Sequence, residues 1–148
     1  MRSSLILLFV LLLGASLALA ACGGSGETTA PAADEIDINA LAPSIDVQTA
    51  YAARSNPTVF MLDVREPDEY DAGHIPGITL IPMGEIADRL SEIPTDQEVV
   101  VTCRTGNRSG QVQRYLQAQG FTQIYNIAEG MAGSAAGPGW LRRGLPLQ

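Results

Sequence analysis

Hydrophobic residues along this 148-residue chain fall into short runs separated by polar, glycine-bearing or proline-bearing stretches, and the spacing within each run predicts an element. Ile45 and Val47 predict a short opening strand, and residues 49–54 a helix. Thr58-Val59-Phe60-Met61-Leu62 is an apolar run of the kind that fills a strand covered on both faces, and the charge of Asp63 interrupts it. Residues 78–81 predict another strand, closed by Pro82, which has no N–H for a ladder. Met83, Ile86, Leu90 and Ile93 recur at helical spacing. Glu98-Val99-Val100-Val101-Thr102 is the clearest strand, and it delivers Cys103 at its carboxyl end. Val112, Tyr115 and Leu116 mark the inward face of the next helix, which Gly120 should terminate, with Phe121 folding back over the last turn. Residues 123–127 give a final strand.

Strands alternating with helices predict an α/β fold: a largely parallel central sheet of about five strands with helices on both faces. In such sheets a ligand site lies beyond the carboxyl ends of the strands, which is where Cys103 falls. With 46% hydrophobic residues the chain can bury one ordinary core, so one folded domain is expected, over residues 41–148.

The first part of the chain reads differently. Arg2 precedes an unbroken apolar run at residues 5–13, too short to span a bilayer comfortably, and small residues follow it. Residues 1–21 therefore read as a secretory leader. Leu19-Ala20-Ala21-Cys22 resembles the lipobox of bacterial lipoproteins, which implies a lipidated Cys22 as the new N-terminus. An uncleaved membrane helix running through Ala21, or a signal peptide cut elsewhere, are the alternatives. Residues 22–40 are Gly, Ser, Thr, Ala, Pro and acid with few large apolar groups, the composition of a flexible tether. The expected location is extracytoplasmic, lipid-anchored to the cell membrane; Gly23 in place of Asp after Cys22 allows outer-membrane sorting in a two-membrane bacterium.

Charge removes further classes. The formal net charge is -7, and every basic residue is Arg. An acidic chain without basic runs is a poor binder of nucleic acid or of anionic lipid by charge alone. An anionic substrate must be gathered by local donors. Of the two cysteines, a lipidated Cys22 leaves Cys103 without an intramolecular disulfide partner. A lone thiol in an exported protein is open to oxidation and calls for a reason, although a buried, inert Cys is the alternative.

Cys103-Arg104-Thr105-Gly106-Asn107-Arg108-Ser109 joins a hydrophobic strand to a helix. Backbone N–H groups in such a turn can converge, and the helix N-terminus adds positive potential, a geometry that binds anions and favours thiolate over thiol. Arg104 and Arg108 would add to it, and Gly106 would permit a left-handed turn.

This heptapeptide resembles the active-site loop of the rhodanese family. Two more segments resemble that family in the same order: residues 62–77, Leu-Asp-Val-Arg-Glu-Pro-Asp-Glu-Tyr-Asp-Ala-Gly-His-Ile-Pro-Gly, and residues 125–131, Tyr-Asn-Ile-Ala-Glu-Gly-Met. Together they span roughly residues 45 to 148. The end departs from the pattern: Glu129 stands where a Gly is common, and a small-residue stretch at 133–139 precedes Trp140. The resemblance implies a sulfurtransferase without metal or organic cofactor, in which Cys103 attacks the outer sulfur of thiosulfate or a persulfide, stores it as a persulfide and yields it to a thiol or cyanide. It implies Arg104, Thr105, Gly106, Asn107, Arg108 and Ser109 as the substrate cradle. A monomer is expected.

Phosphatases of the same fold enclose phosphate with Cys, five residues, then Arg. Here four residues separate Cys103 from Arg108, and Ser109 occupies the position of that Arg. The shorter loop suits a sulfur atom better than a phosphate. Asp63 and Arg65 read as an ion pair bracing the loop, with Glu69 as a partner of Arg65. His74, the only histidine, reads as structural rather than a metal ligand, and Tyr115 and Trp140 as core residues. A binding module that carries or senses a persulfide with little turnover is the reading of a different class.

Overall fold

The computed structural model describes residues 43–148. The leader at 1–21, the tether at 22–40 with Cys22, and residues 41 and 42 lie outside the described residues.

Five strands, β1 (Ser44–Ile45), β2 (Val59–Asp63), β3 (Thr79–Leu80), β4 (Glu98–Thr102) and β5 (Ile124–Ile127), form one sheet in the order β1-β5-β4-β2-β3. Every pairing is parallel. The two edge strands have two residues each, which leaves little open ladder for another chain to pair with. The central β4 pairs along its length with β2 and along three residues with β5.

Strand alternation divides the core into two layers. Val99, Val101 and Cys103 point to one face, where they pack with Leu62, Val64, Val112 and Leu116. Val100 and Met61 point to the other, with Val47, Ala50, Ile127, Met131 and Trp140. Helix α3 (Asn107–Ala118) covers the first face; α1 (Val47–Ala53) and α4 (Gly139–Arg142) supply Val47, Ala50 and Trp140 to the second. Helix α2 (Pro67–Asp71) follows β2, and its first turn is closed by a reciprocal capping box between Glu66 and Glu69. Among the described residues no helix is long and apolar enough to cross a membrane.

The opening strand ends at Ile45, and Val47 begins a helix. Asp46 accounts for the difference: its Oδ1 accepts the Thr49 amide at 2.7 Å and caps α1 two residues earlier than the apolar spacing indicates. The segment at Met83, Ile86, Leu90 and Ile93 is likewise not an α-helix. It consists of two 3-10 turns, Met83–Glu85 and Leu90–Glu92, whose bonds run mostly from residue i to i-3, as from the Glu85 amide to Pro82 and the Glu92 amide to Arg89. Pro82 and Pro94 bound the segment and Gly84 lies inside it, so too few residues remain for a cooperative helix. Its apolar residues still face the core, with Ile86 and Ile93 buried.

Helix α3 ends as expected. The Phe121 amide donates to Leu116 O and the Gly120 amide to Gln117 O, while Gly120 takes a left-handed φ of 96°. This is a Schellman closure, with Phe121 and Leu116 in one buried cluster. Tyr115, expected in the core, is exposed at 37%. The buried positions Ser109, Val112, Gln113 and Leu116 centre the stripe near Ser109 and Leu116, and Tyr115 lies about 120° around the helix from it at 100° per residue.

Candidate active site

Cys103 follows β4 directly and is 1% exposed. The loop behind it is held by its carbonyls. Cys103 O accepts the Met131 amide at 2.9 Å, Arg104 O the Ala132 amide at 2.8 Å, and Gly106 O both the Gly110 amide at 3.1 Å and the Asn126 side-chain amide at 3.2 Å. With the carbonyls drawn toward the segment after β5, the amides of residues 104–109 find no acceptor within the protein among the described residues. These six N–H groups precede or open the twelve-residue α3 and are candidate donors to an anion.

Two glycines make the close approach possible. Gly106 caps α3 with φ 85°, and a Cβ there would lie 2.2 Å from Ala128 O. A Cβ on Gly130 would lie 2.6 Å from the Arg104 carbonyl and the Thr105 amide. No side chain fits at either point.

Ser109 is fully buried and donates its hydroxyl to Cys103 Sγ at 3.2 Å. Arg108 does not stand free in the cradle: its guanidinium pairs with Glu69 at 2.7 Å. Burial alone would raise the Glu69 carboxyl, but the Arg108 hydrogen bond, the Glu66 amide and the nearby Arg108 and Arg65 charges outweigh it and hold the group below its ordinary value. Arg108 shows the converse: burial opposes its charge, and the Glu69 carboxylate more than compensates. The side chains of Arg104 and Thr105 point outward and are exposed, and Asn107 is turned along α3, its Oδ1 accepting from Gln111 at 2.7 Å. Of residues 104–109, Ser109 alone brings a side chain onto the sulfur, and Arg104, Thr105, Asn107 and Arg108 turn theirs to solvent or to other partners.

Asp63 and Arg65 form a buried pair at 2.7 Å, and Asp63 also accepts the Arg65 Nε. The same guanidinium donates to the backbone carbonyls of Glu69 at 2.8 Å and Gly73 at 3.0 Å. Glu69 is therefore a partner of Arg65, as expected, through its carbonyl, while its carboxylate pairs with Arg108. The support runs in series: Asp63 fixes Arg65, Arg65 fixes α2, and α2 presents Glu69 to the first turn of α3.

His74 stacks on Tyr70 at 3.7 Å between centroids, and its Nδ1 lies 3.0 Å from Tyr70 O. No cluster of three or more His, Cys, Asp or Glu able to hold a metal occurs among the described residues. Trp140 is buried and donates to Pro146 O.

Three supporting groups escape a reading of the sequence by pattern. Asn126 braces Gly106 from inside β5. Ser109 was legible as a loop residue but not as the sulfur's hydrogen-bond donor. Glu129 is buried and accepts the Gly139 amide at 2.9 Å, the Val47 amide at 3.4 Å and Arg143 at 3.1 Å, fastening the chain on both sides of the segment that carries the loop. Its departure from the small residue common at that position was the available signal. Burial pushes the Glu129 carboxyl up, but the Gly139 amide, Arg143 and the Val47 amide together hold it below its ordinary 4.5. The unfolded chain then binds more protons than the folded one as pH drops below 4.5, so stability supplied by this charge is fully present above that pH and is lost through the acid range. Glu129→Gln should lower stability at pH 7 and flatten its fall below pH 4.5, as thermal melts across pH would register.

The family model described as Rhodanese-like domain matches residues 46–136. The protein named Sulfurtransferase from Allochromatium vinosum is 40% identical over 89 residues, 60% of this chain and 78% of that one. YrkF of Bacillus subtilis, whose name contains "sulfur carrier protein", is 33% identical over 109 residues; these are 74% of this chain but 55% of YrkF, so the chain spans little more than half of that relative. The crystal structure of a Rhodanese-like domain protein from Staphylococcus aureus superposes with a TM-score of 0.57 at 32% identity, over 62% of this chain and 89% of that one.

Proposed function

The chain belongs to the rhodanese-like domain family, and on that premise we propose that it transfers sulfane sulfur through a persulfide on Cys103, with thiosulfate or a persulfide as donor and a thiol or cyanide as acceptor. The observation that carries the reading is the Cys103 sulfur at the head of α3, beside six backbone amides that no protein acceptor occupies.

The Cys103 sulfur attacks the outer sulfur of thiosulfate. The new S–S bond forms as the old one breaks, and sulfite leaves with the electron pair. Two negative charges enter as thiosulfate and two leave as sulfite, so the persulfide keeps the single charge that the thiolate brought. The amides of residues 104–109, which no protein acceptor occupies, would be available to stabilise that charge, and the helix N-terminus adds roughly 0.3–1 kcal/mol of favourable potential, more in a buried site. Ser109 holds the inner sulfur in place. A nucleophilic acceptor then takes the outer sulfur and regenerates Cys103. No step needs a metal or an organic cofactor.

Phosphoryl transfer fits the site less well. The position that would offer a guanidinium to phosphate is Ser109, whose hydroxyl is spent on the sulfur, and Arg108 is engaged with Glu69. An aryl phosphate should be turned over poorly or not at all.

The decisive measurement is the intact mass of the soluble domain after thiosulfate, before and after cyanide: a gain of one sulfur atom, lost as thiocyanate. A second reading, a persulfide carrier, sensor or binding module with little turnover, draws on the burial of Cys103. One loading without repeated thiocyanate release selects it.

We further propose that the domain lies outside the cytoplasm, tethered through a lipid on Cys22. Support comes from the order of a short apolar run, Leu19-Ala20-Ala21-Cys22 and a polar tether. Mass spectrometry of protein extracted from membranes should find a diacylated N-terminal Cys22. An intact peptide spanning Ala21 and Cys22 in the mature protein would end this part of the proposal.

A further inference from the structure

Helix α3 opens without a side-chain cap. Its N-cap is Gly106, and no side chain accepts an amide of the first turn. An Asp, Ser, Thr or Asn at an N-cap steadies a helix by accepting the N–H of the second or third helical residue, here Arg108 or Ser109. Such a bond would occupy an amide that the sulfur chemistry needs open. Helix order and free donors thus compete for the same N–H groups, and a first turn without partners frays.

Asn126 settles the competition from the carbonyl side. It lies in β5 between β1 and β4, in register with Ser44 and Val101, and is 8% exposed. Its Nδ2 donates to Gly106 O at 3.2 Å, the carbonyl that also accepts the Gly110 amide at 3.1 Å in the first helical bond. A Cβ on Gly110 would stand 3.3 Å from that Nδ2, so the glycine leaves the amide its place. Asn126 Oδ1 meets no protein donor among the described residues, and the bond to Gly106 O is what fixes the way the amide is turned. A trans peptide group points its N–H opposite to its C=O. With Gly106 O held toward Asn126 and Gly110, the Asn107 N–H faces the other way, where no protein acceptor takes it. The backbone amides of Met131 and Ala132 hold the Cys103 and Arg104 carbonyls in the same manner. Of these three outside holds on the loop, the one from Asn126 alone is a side chain, so a substitution can remove it by itself.

We propose that Asn126 is a positioning residue for sulfur transfer: by holding Gly106 O it keeps the first turn of α3 ordered while the amides of Asn107, Arg108 and Ser109 stay open to an anion. It acts through Gly106 and not on the reacting sulfur. The proposal rests on the sulfur-transfer reading. Asn126→Leu removes the donor at similar volume and should lower kcat/KM for thiosulfate by about tenfold or more at every pH. Asn126→Asp gives a sharper test. An ionised carboxylate has only acceptors to set against Gly106 O, and the Arg114 guanidinium near Gly110 favours that form; a protonated carboxyl donates its O–H to Gly106 O. Compared with the parent at each pH, Asn126→Asp should match Asn126→Leu in alkali and recover most of the lost activity in acid. A role in packing alone would leave both ratios independent of pH.

Hydrogen exchange separates the brace from the chemistry. In Asn126→Leu the Gly110 amide should lose about tenfold in protection, the worth of one hydrogen bond, while Leu116, farther along α3, keeps its own. A kcat/KM within about twofold of the parent in Asn126→Leu overturns the proposal, as does a loss in Asn126→Asp that acid does not restore. Where Asn126→Leu fails to fold, the pH dependence of Asn126→Asp decides. If thiosulfate loads no sulfur onto the parent protein, the sulfur-transfer reading falls, and a drop in Gly110 protection still shows the brace. Unchanged protection removes the brace even where thiosulfate is turned over.

Discussion

Cys103→Ser should abolish both the gain of one sulfur atom from thiosulfate and the release of thiocyanate, while the domain stays folded. The expectation separates chemistry from packing because the substitution is nearly isosteric at a buried point. The Ser109 hydroxyl that donates to Sγ at 3.2 Å can donate to an oxygen in the same place, and the loop carbonyls keep their partners in Met131, Ala132 and Asn126. Nothing that holds the loop depends on the sulfur, whereas every step of transfer does. A hydroxyl at this position cannot store sulfane sulfur, so the loss should be complete, and a melting temperature within a few degrees of the parent should accompany it. Residual loading in the variant would mean that sulfur is carried elsewhere.

Arg65→Ala should instead damage the fold. Removing one member of a buried ion pair typically costs about 3–5 kcal/mol, because the remaining charge is left without a partner. Here Asp63 is fully buried, and the Glu69 and Gly73 carbonyls lose a donor as well. For a domain of this size the melting temperature should fall by on the order of 15 °C or more, with activity falling in parallel. Arg65→Lys should rescue little, since one ammonium cannot reach Asp63 and two carbonyls in the geometry of a planar fork. Unchanged stability with activity gone would move Arg65 from support into the substrate site.

These two residues mark what the sequence could and could not convey. β4 and the placement of Cys103 were legible because an apolar β-branched run states its element and its end, and the residue after it inherits the site. The Asp63–Arg65 pair was legible because its members are two residues apart. The pairing of Glu69 was not: Arg65 is four residues away and Arg108 is thirty-nine, and only the docking of α2 beside α3 selects the distant partner. Hydropathy failed in a similar way along α3. Gln113 is buried, its amide donating to Pro43 O and Ile124 O, while the more apolar Tyr115 faces outward. A polar side chain that satisfies buried backbone carbonyls leaves no trace in a periodicity. The 3-10 turns after β3 show a third limit, since three- and four-residue steps over so short a segment fit more than one helix type.

The proposed cradle is built of main chain, and this has a bearing on how the domain can change. A recognition site made from side chains is lost when those side chains are replaced. Here the N–H groups of residues 104–109 persist whatever residue other than proline stands at Arg104, Thr105 or Asn107, whose side chains are exposed. Gly106 and Gly130, by contrast, admit no alternative. If the proposed function holds, descent can rewrite the outer surface of the loop through single substitutions that leave the backbone donors and the sulfur in place, so that diversification of partners would need no intermediate in which the reaction itself is impaired.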